Sequence, residues 1–193
     1  MEPQKLTPEK SLEIITQIIN EAKTKFEENG FIYVFWGLLS TVASLGQFIL
    51  LENGYYTISN YPYFLMPLGA IYTAYYIYKK GRSRHNQIGK LVAFSWTAVT
   101  LNIFILAFLL SGILKQHLIP VILILLGIGT IVSAGAIKSK LILYSGVIIN
   151  LAGLACFGLE WIYQPLLLGI VSAAAILVPG IILMIKHKKR ENV

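Results

Sequence analysis

Residues 28–37 read ENGFIYVFWG, and the chemistry of the chain changes inside them. Residues 1–30 carry six glutamates and four lysines. Residues 31–51 then run for 21 positions without a charged side chain. A helix needs roughly 20 mostly apolar residues to cross the ~30 Å hydrocarbon core of a bilayer. The run that starts at Phe31 has that length, and its aromatic opening (Phe31, Tyr33, Phe35, Trp36) suits the boundary between water and lipid. The stretch therefore reads as a corner, where a surface helix ends and a membrane span begins.

Further along, five more apolar stretches follow, at 61–78, 91–114, 118–137, 141–159 and 165–185. The whole chain is 56% hydrophobic and 13% charged, with mean hydropathy +0.69. A soluble domain carries about 25% charged residues. The expected fold class is all-α. An integral membrane bundle of six transmembrane helices over 31–193 follows a cytoplasmic amphipathic helical segment in 1–30.

A net charge of +7 would suit a nucleic-acid binder if the cations were clustered. They lie instead in the connections between apolar runs, which excludes nucleic acid as the expected partner. With the N-terminus inside, the inner segments hold Lys5, Lys10, Lys23 and Lys25, then Lys79, Lys80, Arg82, Arg84 and Lys90. They also hold Lys138 and Lys140, then Lys186, Lys188, Lys189 and Arg190. Lys115 alone of the 16 basic residues falls outside. The positive-inside rule then sets both termini in the cytoplasm of a cell whose inner (plasma) membrane holds the protein. Residues 1–30 are polar and net acidic, unlike the basic start and apolar core of a signal peptide.

Within 1–30, Thr7-Pro8-Glu9 reads as a helix start, with Thr7 as cap and Pro8 in the first turn. Leu12, Ile15, Ile19, Ala22 and Phe26 recur three and four residues apart and form an apolar stripe, widened by Ile14 and Ile18. Asn29-Gly30 reads as its stop, with glycine taking the left-handed conformation. Helices that bind anionic lipid by charge are basic, and this segment is not. Its stripe is expected to dock on the protein's own basic inner face or at the bilayer boundary.

The spans hold no ionisable residue near their centres, the usual mark of proton relays and ion pathways. Their polar residues are neutral. Ser40, Ser44 and Gln47 share one face of the first span, and Ser145 lies in the fifth. Thr41, Thr100, Asn102 and Asn150 form a candidate midplane cluster. Asn102 and Asn150 sit ~14–17 Å along their spans, at mid-depth. Each amide is expected to bond a neighbouring helix and to avoid lipid. The fourth span contains GIGTIVSAGA at 127–136, whose Gly127, Gly129, Ser133 and Gly135 suit close helix packing.

No aspartate occurs, so a Ser-His-Asp site is ruled out, and His85, His117 and His187 are divided between the two sides. No catalytic residue, metal or cofactor is expected. Cys156 is the one cysteine, so no disulfide forms within the chain. The stretches FEENGFIYVFWG (26–37) after SLEII (11–15), GIGTIVSAGAIK (127–138) and LVPGIILMIKHKK (177–189) resemble an uncharacterised family of small multi-pass bacterial inner-membrane proteins. That resemblance implies location and topology and transfers no catalytic residue. Two functions stay open. One is a non-enzymatic scaffold or regulatory subunit that contacts a membrane or cytoplasmic protein, or a second copy of itself, through its basic face and N-terminal helix. The alternative is a small-solute transporter or channel with a neutral polar midplane cavity.

Overall fold

The computed structural model describes residues 8–28, 30–80 and 87–191, and all regular structure among them is helical. Helix α1 spans Pro8–Glu28 and α2 spans Gly30–Glu52. Thr7, Asn29 and the loop arginines Arg82 and Arg84 lie outside the described residues, as do the side chains of Ala22 and Phe26. The corner falls where the sequence puts it, but Gly30 acts there in a different way. Its φ is not left-handed; Gly54, at φ 79°, is the glycine with that conformation among the described residues. Gly30 is the first residue of α2, and a Cβ on it would lie 3.0 Å from the Met184 nitrogen and 3.1 Å from the Gly180 oxygen. It is small because another helix passes there.

The remaining helices are α3 (Leu65–Lys80), α4 (Gln87–Phe108), the one-turn α5 (Ser111–Leu114), α6 (Leu118–Ile137), α7 (Lys140–Cys156), α8 (Gln164–Ser172) and α9 (Val178–Glu191). Ala173–Leu177 join α8 to α9 as a π turn, in which the Val178 N–H donates to the Ala173 carbonyl five residues back. Pro179 follows directly, and a proline has no N–H for the carbonyl one turn earlier. The wider turn sits where the regular ladder is already interrupted.

Among the described residues four helical stretches are long and apolar enough to cross a membrane, not six: Gly30–Glu52, Lys90–Phe108, Ser111–Ile137 and Gln164–Lys186. The other two expected spans are shorter. In 61–78 the chain begins with a 3₁₀ turn, Tyr61–Phe64, with Pro62 in its first turn, and the α-helix proper has 16 residues. In 141–159 the helix has 17 residues. It ends at Cys156, where Phe157 and Gly158 turn on the carbonyls of Leu154 and Ala155. The third stretch, 91–114, is also interrupted. The Leu109 and Leu110 N–H groups both donate to the Ile105 carbonyl, and α4 stops before α5 begins.

α6 and α7 form a tight antiparallel hairpin. Its turn is a Schellman-type cap: Lys138 is left-handed at φ 52°, ψ 42°, and Ser139 N–H donates to Ala134 O at 3.1 Å. α2 packs along α8, the π turn and α9. α3 leans on α2, and α4 leans on α6. One buried cluster, Leu123, Ile149, Cys156, Leu168, Val171 and Ala175, fills the space among α6, α7 and α8. A second, Tyr33, Ala134, Ile137, Ile142 and Leu183, lies toward the other end.

α1 packs against α9, α6, α4 and α2, at the end of the bundle where α2 and α4 start and where α6 and α9 finish. The described lysines Lys90, Lys138, Lys186, Lys188 and Lys189 belong to those same helix ends, and Lys140 starts α7 two residues beyond Lys138. The apolar stripe is only partly covered. Leu12 and Ile15 are 68% and 53% exposed, whereas Ile19 lies with Thr16 and Asn20 against Ile137 and Lys138. The stripe is broader than the surface that this end of α6 offers.

Candidate functional site

Ser40 and Thr41 of α2 face the last helical stretch, and Ser44 and Gln47 face the 59–64 segment. Ser40 Oγ and Ser172 Oγ lie 2.8 Å apart, and Ser44 Oγ donates to the Ser40 carbonyl at 2.6 Å. Thr41 Oγ1 donates to Gly37 O at 2.7 Å and reaches Gly169 O at 3.5 Å. Gln47 Nε2 donates to Asn60 Oδ1 at 2.7 Å, while the buried Gln47 Oε1 has no partner among the described residues. These residues stack because 40, 44 and 47 repeat at helical spacing. Tyr63, in the 3₁₀ turn, points its hydroxyl at Ser44 Oγ from 3.5 Å.

Glycine makes this approach close. A Cβ on Gly37 would lie 2.6 Å from the Leu177 nitrogen, so the two backbones touch. A second seam joins α6 to α7. A Cβ on Gly127 would lie 2.8 Å from the Asn150 nitrogen, and one on Gly146 would lie 2.9 Å from the Ile131 nitrogen.

The four residues of the expected midplane cluster do not converge. Thr41 faces α8. Asn150 is half-buried, and its Nδ2 donates across the seam to Ile124 O at 3.4 Å. Thr100 is half-buried on α4. Asn102 is exposed and donates to Ala98 O of its own helix at 2.9 Å, contrary to the expected bond to a neighbour. The reason lies in the geometry of α6. Gly127 meets α7 and Gly129 meets Val99 of α4. Two residues along a helix turn through ~200°, so α4 and α7 sit on opposite sides of α6. Asn102, on a helix that touches the bundle with one face, points away.

The packing motif of α6 divides in the same way. Gly129 and Ser133 both face α4, Gly127 faces α7, and Gly135 is exposed with nothing within 4 Å of an added Cβ. Trp96 Nε1 donates to Ser133 Oγ at 2.9 Å, and Ser133 donates on to Gly129 O at 2.8 Å. The Tyr33 ring stands edge-on to Trp96 with centroids 6.5 Å apart. The sequence reading missed this α2–α4–α6 junction and the Ser40–Ser172 contact. An indole N–H in an apolar run was the available signal, since a buried Trp usually finds an acceptor.

At the lysine-rich end, Thr16, Ile19, Asn20, Ile137 and Lys138 line an open groove of about 230 Å³ between α1 and α6. At the opposite end the His117 ring lies 5.7 Å from Phe157, and Tyr56 lies 5.9 Å from Trp161. Among the described residues no three His, Cys, Asp or Glu side chains come together as metal ligands would. Most hydroxyls of the seams donate to carbonyls one turn back in their own helix, as Thr41, Ser44, Ser133 and Ser145 do, while the Ser40–Ser172 pair joins α2 to α8. No family model matches the chain, and no curated protein or solved structure matches it either.

Proposed function

We propose that the chain is a six-span integral membrane protein with both termini in the cytoplasm, acting as a non-enzymatic scaffold or regulatory subunit. The carrying observation is that its neutral polar side chains bond helix to helix along seams where glycines bring backbones into contact. Such seams hold a closed bundle together and leave little room for a solute between α6 and α7 or between α2 and the last helices.

The two short helices fit a crossing role. α7 accompanies α6 from Gly146 beside Ile131 to Gly153 beside Ile124, so it lies alongside part of a stretch that is long enough to span. Its 17 residues rise ~26 Å. The 3₁₀ turn of Tyr61–Phe64 and the 16 residues of α3 together rise ~32 Å. The lysine-rich end, with α1 laid across it, fits a cytoplasmic contact surface in an inner membrane. The exposed Leu12 and Ile15 fit the bilayer boundary beside it. The resemblance to small multi-pass bacterial inner-membrane proteins agrees with this location.

Capture from native membranes tests the reading. The intact chain and a variant lacking residues 1–28 are cross-linked, purified and compared by mass spectrometry. A partner held by the intact chain and lost from the variant supports the scaffold reading. Solute flux through vesicles holding the purified chain, altered by Asn150→Leu, would replace it with the transporter reading.

A further inference from the structure

We infer that α4 is the interface for a second copy of this chain, in a parallel pair whose axis is normal to the membrane. This rests on the membrane reading above. Within its span, Lys90–Phe108, only 6% of the residues in the most apolar window are buried, against 28–44% in the other three long spans. The buried side carries Val99 and Trp96, which meet Gly129 and Ser133 of α6. The opposite side carries Leu91, Phe94, Ala98, Leu101, Ile105 and Phe108, all exposed. Their spacings are 3, 4, 3, 4 and 3, the a and d positions of consecutive heptads.

Apolar exposure alone would be satisfied by lipid. Two polar residues also flank the seam, and one of them, Asn102, keeps an amide hydrogen that lipid cannot accept. In the heptad frame set by Leu91 as a, Thr97 is g and Asn102 is e. Both are exposed. In a parallel pair, g of one helix meets e five residues on in its partner. Thr97 of one copy then meets Asn102 of the other, twice about the axis. The Thr97 hydroxyl already donates to Ala93 O at 2.8 Å, so its oxygen is left to accept. Asn102 Nδ2 uses one of its two hydrogens on Ala98 O, which leaves the second to donate. Donor and acceptor are complementary across the pair. All copies insert with one orientation, so two α4 helices side by side are necessarily parallel. The mid-depth amide, which among the described residues bonds its own helix, gains a second helix here.

The test is a single-cysteine series along α4 in the full chain, in membranes, with Cys156→Ala as background. Oxidation should cross-link dimers at Phe94→Cys, Ala98→Cys, Leu101→Cys and Ile105→Cys. It should leave the exposed α7 controls Val147→Cys and Leu154→Cys monomeric. By energy transfer in vesicles diluted with lipid, Asn102→Leu should weaken association roughly three- to thirtyfold. Thr97→Val combined with it should weaken association little further, because the two side chains share one bond. A chain that stays membrane-embedded but monomeric, or that cross-links at α7 as readily as at α4, overturns the interface. Additive losses from Thr97→Val and Asn102→Leu overturn the pairing between them. A chain washed from membranes by alkaline carbonate would fail the membrane reading itself.

Discussion

At Gly37 a methyl group would stand 2.6 Å from the Leu177 nitrogen, and a backbone cannot swing aside as a side-chain tip can. Gly37→Ala is therefore expected to destabilise the folded chain by about 1–3 kcal/mol, the usual cost of overpacking. Gly135 provides the contrast within the same residue type. It is exposed and an added Cβ meets nothing, so Gly135→Ala is expected to stabilise by about 0.5–1 kcal/mol through helix propensity. Thermal unfolding of both variants in one detergent measures the difference, and equal effects would contradict the packing account. Lys138 holds a left-handed conformation that costs a non-glycine residue about 1–2 kcal/mol. Lys138→Gly should raise the thermal midpoint by about 2–4 °C, and a fall would show that the Lys138 side chain matters more than its backbone. The sequence distinguished none of these positions. Gly127, Gly129 and Gly135 look alike in a run of small residues. Only the ~100° step of the helix decides which faces α7, which faces α4 and which faces nothing.

The elements were legible to the degree that local chemistry sets them. Pro8 starts α1, and the charge-free run starting at Phe31 becomes α2 almost to the residue, because a proline and a change of polarity act locally. Where composition stays apolar across a boundary, the sequence said less. Nothing in the alphabet of 91–114 marks the stop at Phe108, and the prolines of 61–78 shorten α3 by starting it with a 3₁₀ turn. Asn102 and Asn150 were indistinguishable for a related reason. An amide's surroundings depend on which face of its helix meets a neighbour, and α4 has one packed face where α7 lies in a groove between α6 and α8. At the scale of α1, docking through Ile19 and not Leu12 has a direct consequence. Ile19→Asp should speed amide exchange across α1 about tenfold, whereas Leu12→Asp should leave it unchanged. Hydrogen exchange by mass spectrometry reads both, and equal effects would mean that the whole stripe, not one turn, holds the helix down.

Across the whole molecule, the end that carries α1 also carries most of the described lysines, while Glu52, Lys115 and Glu160 belong to connections at the other end. That division ties the charge pattern to the packing, and six crossings follow if the two shorter helices, α3 and α7, each traverse the bilayer. Cysteine accessibility in intact cells is the most direct measurement of this claim, again with the buried Cys156 replaced by alanine. Thr57→Cys, Gln116→Cys and Glu160→Cys should react with a membrane-impermeant thiol reagent applied outside. Arg84→Cys, Ser139→Cys and Asn192→Cys should react only after the membrane is opened. Six crossings require Thr57 and Arg84 on opposite sides, and likewise Ser139 and Glu160. Labelling of either pair from the same side would mean that α3 or α7 does not cross, and would contradict the six-span account.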